Sequence, residues 1–459
     1  MCAWLNQPPR RGKTSRFAKP VLRRFVGSLV MPIEPLHRVC LITPGHLATN
    51  PRIVKEADAL SEAGYEVTVI AADFLDWAHH ADGEFAERTW QVGRKVYFGP
   101  KAPIETYIKQ TIRRKACRAL VRTIGHHRFL IERAIHAAVP ELVEAALAIP
   151  AELYVAHYTA ALPAAAAAAN RFGTFYAFDA EDFHLGTFPD GAEYAVDRTL
   201  IRAIEEDLLP NCAYLTAASP GIADAYMQIY GLPRPTVLLN VFPRANAPAT
   251  PTSAGTALPG PSVYWFSQTI GRNRGLEVAV EAIAISAARP YLYLRGTLAA
   301  GYGDLLKTLA RQHGVADRLR LLDPEPPSAM ERIASEYDVG LVSEIGETQN
   351  HRIALSNKLF TYLLAGIPVV ASSIPAHAAL DGIHGAVRLY ETSNPHAMAQ
   401  ALDSFLLNPR QLAEARRRAW SLGQDRYNWD LEKQTLLSVI KKLRITNFES
   451  AELRPRSVA

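Results

Sequence analysis

Short apolar runs alternate with stretches of helical periodicity along most of the chain. Arg38–Thr43, Val67–Ala72, Leu153–Thr159 and Phe175–Asp179 are rich in β-branched and aromatic residues and read as buried strands. Between them lie predicted helices, one opened by the loop Pro44–Arg52 and running through Ala63 to stop at Gly64, another from Leu162 to Gly173. Strand, loop, helix and strand within about 35 residues make a βαβ unit, whose parallel strands require a right-handed crossover. Ser219-Pro220-Gly221 opens a further helix closing at Gly231, and Thr236–Asn240 completes this series as a strand.

Residues 244–261 are rich in Pro, Ala and Thr and read as a linker or exposed insertion. A second series follows, with strands at Val263–Phe266, Tyr291–Gly296, Leu319–Leu322, Val339–Glu344 and Val369–Ala371. Helices are predicted from Leu276, at Asp304–Gln312, at Ser328–Tyr337 and from Asn357 to Ala365, the last capped by Ser356 and ended by Gly366. The pattern predicts a basic arm over 1–36, an α/β domain over 37–243, the linker 244–261, a second α/β domain over 262–425, a helix over 426–445 and a tail over 446–459.

From Ile104 to about Leu147 the pattern turns helical. Ile108, Ile112, Ala116, Leu120 and Ile124 recur every four residues beside Cys117 and Val121, and Lys109, Arg113, Arg114, Lys115, Arg118 and Arg122 are expected on the other face. This concentration matters because the net charge of +5 is local in origin. Residues 1–38 carry eight Lys or Arg against Glu34, residues 104–135 carry eight against Glu105 and Glu132, and the rest is net acidic. That distribution excludes a protein that coats nucleic acid, and makes residues 17–30 and 104–124 candidate contacts with an anionic membrane surface. Four scattered cysteines, with no Cys-x-x-Cys pair and no Cys/His set at zinc spacing, point to a reducing compartment and no metal site. No apolar run approaches the ~20 residues that span a bilayer, so the expected location is cytoplasmic, peripheral at the inner membrane face.

Chemistry is expected where strands end, since open α/β sheets bind ligands beyond their carboxyl edges. The first strand leads into Pro44-Gly45-His46-Leu47-Ala48-Thr49-Asn50-Pro51-Arg52, the third ends in His157-Tyr158-Thr159, and the fourth runs into Asp179-Ala180-Glu181-Asp182. In the second series, Gly271-Arg272-Asn273-Arg274-Gly275 precedes a helix whose first amides, with an arginine beside them, suit a phosphate.

The stretch Lys358-Leu359-Phe360-Thr361-Tyr362-Leu363-Leu364-Ala365-Gly366-Ile367-Pro368-Val369-Val370 resembles the nucleotide-sugar signature of GT-B glycosyltransferases, especially family 4, Lys-Leu-Phe-Glu-Tyr-Leu-Ala-Ala-Gly-x-Pro-Val-Val. Arg274-Gly275 is similar to the end of that family's Gly-Arg-x-x-x-x-Lys-Gly element, with Arg272 in place of its upstream arginine. The resemblance covers roughly residues 37–440 and implies two Rossmann-like domains facing across a cleft, with a C-terminal helix crossing back. It implies a retaining, metal-independent transfer of a sugar from a UDP or GDP type donor to the hydroxyl of a glycan or lipid-linked glycan, with no cofactor. Donor contacts would come from Gly45, Arg272, Arg274, Gly275, Gly296, Glu344, Lys358 and Thr361, and His157, Asp179 and Glu181 would act on the transferred sugar and the acceptor. The chain departs from the family where two glutamates of a Glu-x7-Glu element are replaced by Ile353 and Thr361. A threonine offers one neutral oxygen where a carboxylate would accept two ribose hydroxyls. Two alternatives share the architecture: an epimerase of nucleotide sugars, and a non-catalytic nucleotide-sugar-binding partner in a membrane-associated glycan assembly.

Overall fold

The computed structural model describes residues 37–125, 127–250, 258–380 and 382–452. The basic arm, the candidate membrane segment 17–30 and the last seven residues of the predicted tail lie outside these, as do residues 251–257 of the predicted linker.

Two fully parallel sheets organise the chain. The first has seven strands in the order Gln91–Val92, Glu66–Ile70, Arg38–Ile42, Leu153–His157, Phe175–Ala180, Leu215–Ala217, Thr236–Val237. The second has six, in the order Leu319–Leu322, Tyr291–Leu298, Ser262–Ile270, Val339–Val342, Val369–Ser372, Val387–Tyr390. Each sheet starts at an inner strand, winds outward one way, then returns to the other side of that strand, so each has one point where the strand order reverses. In the first sheet it lies between Arg38–Ile42 and Leu153–His157, and in the second between Ser262–Ile270 and Val339–Val342. Loops beyond these points diverge and leave a crevice, which is where such sheets bind ligands. The central strands are buried on both faces, as their unbroken apolar runs require.

The last helix, Trp429–Glu452, crosses back onto the first half of the chain. Glu432 accepts a hydrogen bond from the Leu239 amide (3.0 Å), Asp430 accepts one from the Arg244 amide (2.9 Å), and Lys433 pairs with Glu62 (3.0 Å). The halves also meet directly. Asn350 accepts from the Phe183 amide (2.7 Å) and donates to Asp182 (2.8 Å), while the Ser219 hydroxyl donates to the Ile353 carbonyl (2.6 Å). Ile353, where the family resemblance implies a carboxylate, packs against Gly221, and a Cβ there would stand 2.9 Å from the isoleucine side chain. An apolar residue suits that contact.

Several elements differ from expectation. The strand predicted over 236–240 is confined to Thr236–Val237, because Leu238 to Val241 turn inward to serve side chains of the helix Pro51–Glu62. The helix Ile104–Ile124 does not divide into the expected apolar and basic faces: Gln110, Cys117 and Val121 face inward, whereas Ile104, Ile108, Ile112 and Leu120 are exposed. Two of its arginines decide this. Arg113 pairs with Glu141 (2.7 Å) and Arg118 with Asp197 (2.8 Å), on helices Val139–Leu147 and Ala195–Leu208, and these half-buried ion pairs draw their face toward the domain.

Candidate active site

Beneath the crevice of the first half lies a buried network of charges. Arg52, in the first turn of the helix Pro51–Glu62, grips Asp179 with two hydrogen bonds (2.5 and 2.7 Å) and donates a third to the Leu238 carbonyl (2.7 Å). Thr216 donates to the same carboxylate (2.5 Å). His157, at the end of its strand, is fully buried, with Nδ1 2.7 Å from Glu181 and Nε2 2.9 Å from Glu56. Burial alone would lower the imidazole's pKa, but the bonds to Glu181 and Glu56 and the nearby Asp179 raise it to about 10. The carboxylates on either side of His157 favour its charged form. Asp179 shows the same contest: burial would raise its pKa, and the Arg52 guanidinium holds it down at about 2.

These distances redefine the predicted roles. Asp179 is engaged by Arg52 and Thr216 and does not line the pocket. His157 and Arg52 lie below the crevice and do not line it; His157 holds Glu181, and Glu181 does line it. Asn50 bridges both levels, accepting the Arg52 and Ile53 amides as the helix cap (both 3.2 Å) and donating to Glu181 (2.7 Å). Glu56, His157 and Asp179 each place one possible ligand atom within 4.8 Å of the others. Asp179 is already committed to two bonds from Arg52 and His157 Nδ1 to Glu181, so these distances describe an ion-pair network.

The second half contributes a connected set. Gly275 has φ 68°, and a Cβ there would collide with the Ser343 carbonyl, so glycine is obligatory where the phosphate-type loop closes on the strand end. Gly296, with φ 145°, is held likewise against the Ser267 carbonyl. The Ser343 hydroxyl donates to the Arg274 carbonyl (2.6 Å), and the next residue, Glu344, accepts from Lys358 (2.7 Å) and from Ser356 (2.9 Å). The predicted Ser356 cap is not formed, because its hydroxyl turns to this buried carboxylate, leaving the first turn of the helix Asn357–Ala365 without a side-chain cap. Lys358 is nearly buried, with its ammonium 5.4 Å from the centre of the Trp265 ring. It holds the Glu344 carboxyl down at about 2, against the burial that would raise it. Arg272 and Arg274 are exposed on their loop. Gly45 differs from the other glycines: its surroundings leave room for a Cβ, so a side chain there is tolerated sterically.

Thr361 is fully buried, and its hydroxyl donates to Glu331 Oε1 (3.0 Å). Burial pushes the Glu331 carboxyl up to about 7, offset by Thr361, Asn246 and the cation of Lys55. A carboxylate thus stands beside the position where the resemblance implies one, but it comes from the helix Met330–Ala334. Sequence inspection missed it because nothing local to Glu331 marks it; a buried acidic residue three positions into a short predicted helix looks like any solvated surface glutamate. Lys55 was missed for the same reason. It is buried across the junction, donating to Asn240 (2.7 Å) and to the Val241 carbonyl, and burial brings its pKa down to about 7.

The two halves enclose a pocket of about 230 Å3 at their junction. Thr49, Asn50, Tyr158, Glu181, Asp182, Ala218 and Asn240 line it from the first half, Ala354, Leu355 and Asn357 from the second. Tyr158 adopts φ 70°, a left-handed conformation rare for an aromatic residue and common where backbone strain serves a site. A wider cavity of about 850 Å3 opens between Leu185–Asp190, the helix Ala195–Leu208 and Glu347–Arg352.

The network carries a pH dependence of stability. Asp179 and Glu344 have folded-state pKa values near 2, below the ordinary 3.8 and 4.5 of their side chains. Their contribution is complete above those ordinary values and is lost as pH falls toward 2. Urea unfolding followed across this range is expected to show a steep loss of stability between pH 4.5 and 2, and the Lys358→Met variant is expected to lose the Glu344 share of that slope.

The family model for Glycosyl transferases group 1 matches residues 260–408. No curated protein matches the chain. Among solved structures, the sucrose-phosphate synthase of Thermosynechococcus elongatus is similar over 89% of this chain and 100% of its own, with TM-score 0.67 and 15% identity. HepE of Anabaena, in complex with UDP, covers 89% of this chain and 100% of its own at TM-score 0.64 and 13% identity. TarM of S. aureus, in complex with fondaparinux, α-GlcNAc-glycerol and UDP, covers 88% of this chain and 100% of its own at TM-score 0.62 and 9% identity. The chain therefore has the GT-B fold of glycosyltransferases, two Rossmann-like domains with a returning C-terminal helix, and over residues 260–408 it matches the group 1 glycosyl transferases.

Proposed function

We propose that this protein is a glycosyltransferase that moves a sugar from a nucleoside diphosphate sugar, of the UDP type, to a hydroxyl acceptor, with retention of the anomeric configuration and without a bound metal. The observation that carries this is the junction pocket, where loops beyond the switch point of the first sheet meet the segment Ala354–Asn357 and Glu181 shares the lining with Asn357, at the uncapped start of the helix Asn357–Ala365. The first-turn amides of that helix, Arg274 and Lys358 take the diphosphate, neutralising the charge that develops as it leaves. Glu181, held by His157 and Asn50, orients the acceptor hydroxyl, and the wider cavity admits the rest of the acceptor. HepE and TarM, with UDP in their complexes, support a UDP donor.

Calorimetric titration with UDP, GDP, ADP and dTDP tests this. UDP is expected to bind selectively, with Arg274→Ala and Lys358→Ala each weakening it about tenfold to a hundredfold, the worth of a charge-assisted phosphate contact. Glu181→Gln is expected to leave UDP affinity unchanged and to abolish turnover of UDP-glucose. Failure of all four nucleotides to bind the folded protein overturns the proposal. Binding without turnover supports the non-catalytic partner instead, and release of an altered sugar without acceptor supports the epimerase.

A further inference from the structure

The helix Ile104–Ile124 turns an apolar stripe to solvent. Ile104 is 69% exposed and Ile112 63%, with Ile108 between them and Ala116 and Ala119 continuing the same face. Residues at four-residue spacing share one face of a helix, so the stripe is continuous over several turns. Lys115 and Arg122 flank it on one side, Lys109 and Leu120 on the other, all exposed; Glu105 is the acidic residue on this face. The inward arginines are already neutralised by Glu141 and Asp197, so the exposed cations are the ones left to meet a partner. The start of the helix adjoins a second apolar projection: Lys101 pairs with Asp76, and the following residue, Trp77, is 54% exposed. Beyond its far end, Phe129 is 62% exposed with the Arg133 guanidinium 3.6 Å from its ring centre.

We propose that this face docks the protein onto an anionic phospholipid surface, with the helix lying in the headgroup plane. Isoleucines outward, cations beside them and a tryptophan at one end match an interfacial helix, in which apolar side chains enter the acyl boundary and lysines meet lipid phosphates. A second copy of this face would bring cation against cation, and residues 1–38, with eight Lys or Arg against Glu34, carry the same sign. No helix among the described residues is long and apolar enough to cross a membrane, so docking here is peripheral.

The geometry places the docked face next to the crevice. The segment that leads into the Trp77 helix gives the Phe74 and Leu75 amides to His46 Nε2 (both 2.9 Å), and His46 Nδ1 is 2.7 Å from Asp82. His46 belongs to the loop that delivers Asn50 to the junction pocket. A lipid-linked acceptor hydroxyl would then reach Glu181 from the membrane side; that last step rests on the function proposed above, while docking rests on the surface alone.

The full chain should be sedimented with vesicles of phosphatidylcholine alone and of equal parts phosphatidylcholine and phosphatidylglycerol. Binding is expected to the anionic vesicles only and to weaken with salt. Lys109→Gln with Lys115→Gln should weaken it about thirtyfold, a factor of about five for each cation removed. Ile108→Ser with Ile112→Ser should weaken it at least about tenfold through lost apolar burial. Both pairs are exposed, so thermal unfolding and UDP titration should match the parent and separate a docking failure from a failure of the donor site. Unaltered vesicle binding by both variants overturns the proposal, as does a concentration-dependent dimer in gel filtration that the isoleucine substitutions abolish.

Discussion

Replacing Arg52 with methionine is expected to destabilise the protein by about 3–5 kcal/mol, the cost of breaking a buried ion pair by removing one partner. Arg52 is 2% exposed and Asp179 1%, so without the guanidinium the carboxylate keeps Thr216 as its donor and has no water to replace the other bonds. The Leu238 carbonyl loses its donor too, which loosens the turn that brings Asn240 to the pocket. Lysine does not substitute, because a point charge cannot reproduce three hydrogen bonds in two directions. Denaturant midpoints for Arg52→Met, Asp179→Asn and the pair together give the coupling directly. The double variant is expected to be more stable than Arg52→Met, since it no longer buries an unpaired charge. Additive effects would show that the two groups do not depend on one another.

Thr361→Glu is the second large effect, and its sign is the informative part. The family resemblance implies a glutamate here, so by motif alone the substitution restores a missing ribose contact and tightens donor binding. In this protein it is expected to cost several kcal/mol and to weaken UDP. Glu331 Oε1 is 3.0 Å from the threonine hydroxyl in a fully buried space, and its carboxyl is already pushed up to about 7 by burial. A second carboxylate there adds like-charge repulsion at low dielectric and overfills a packed site. Exchanging the two residues, Thr361→Glu with Glu331→Thr, returns one carboxylate and one hydroxyl to the same space and is expected to recover most of the loss. A stable Thr361→Glu variant with tighter UDP binding would show that Glu331 does not occupy the carboxylate's place.

The isoleucine at 353 carries the same lesson. As a motif position it looks like a lost glutamate, but in the fold its half-buried side chain closes the junction against Gly221, and its carbonyl accepts from Ser219. Both residues meet partners on elements far away in sequence, Thr361 on the helix Met330–Ala334 and Ile353 at Gly221.

The chain's own pattern determined the two series of parallel strands and their helices, because burial on both faces demands unbroken apolar runs and glycine or proline at their ends; that the last helix crosses back came from the resemblance. It also placed His157, Asp179, Glu181, Arg274 and Lys358 at strand or helix ends, since that is where parallel sheets expose side chains. Tertiary structure alone decided which of these reach the pocket. His157, Asp179 and Arg52 are held beneath it by one another, whereas Glu181 and Asn357 line it. It also decided which face of the helix Ile104–Ile124 meets solvent, since Arg113 and Arg118 found carboxylates on helices Val139–Leu147 and Ala195–Leu208. Periodicity records where apolar residues recur, but the partner of a buried charge is set by long-range packing, which no local window contains.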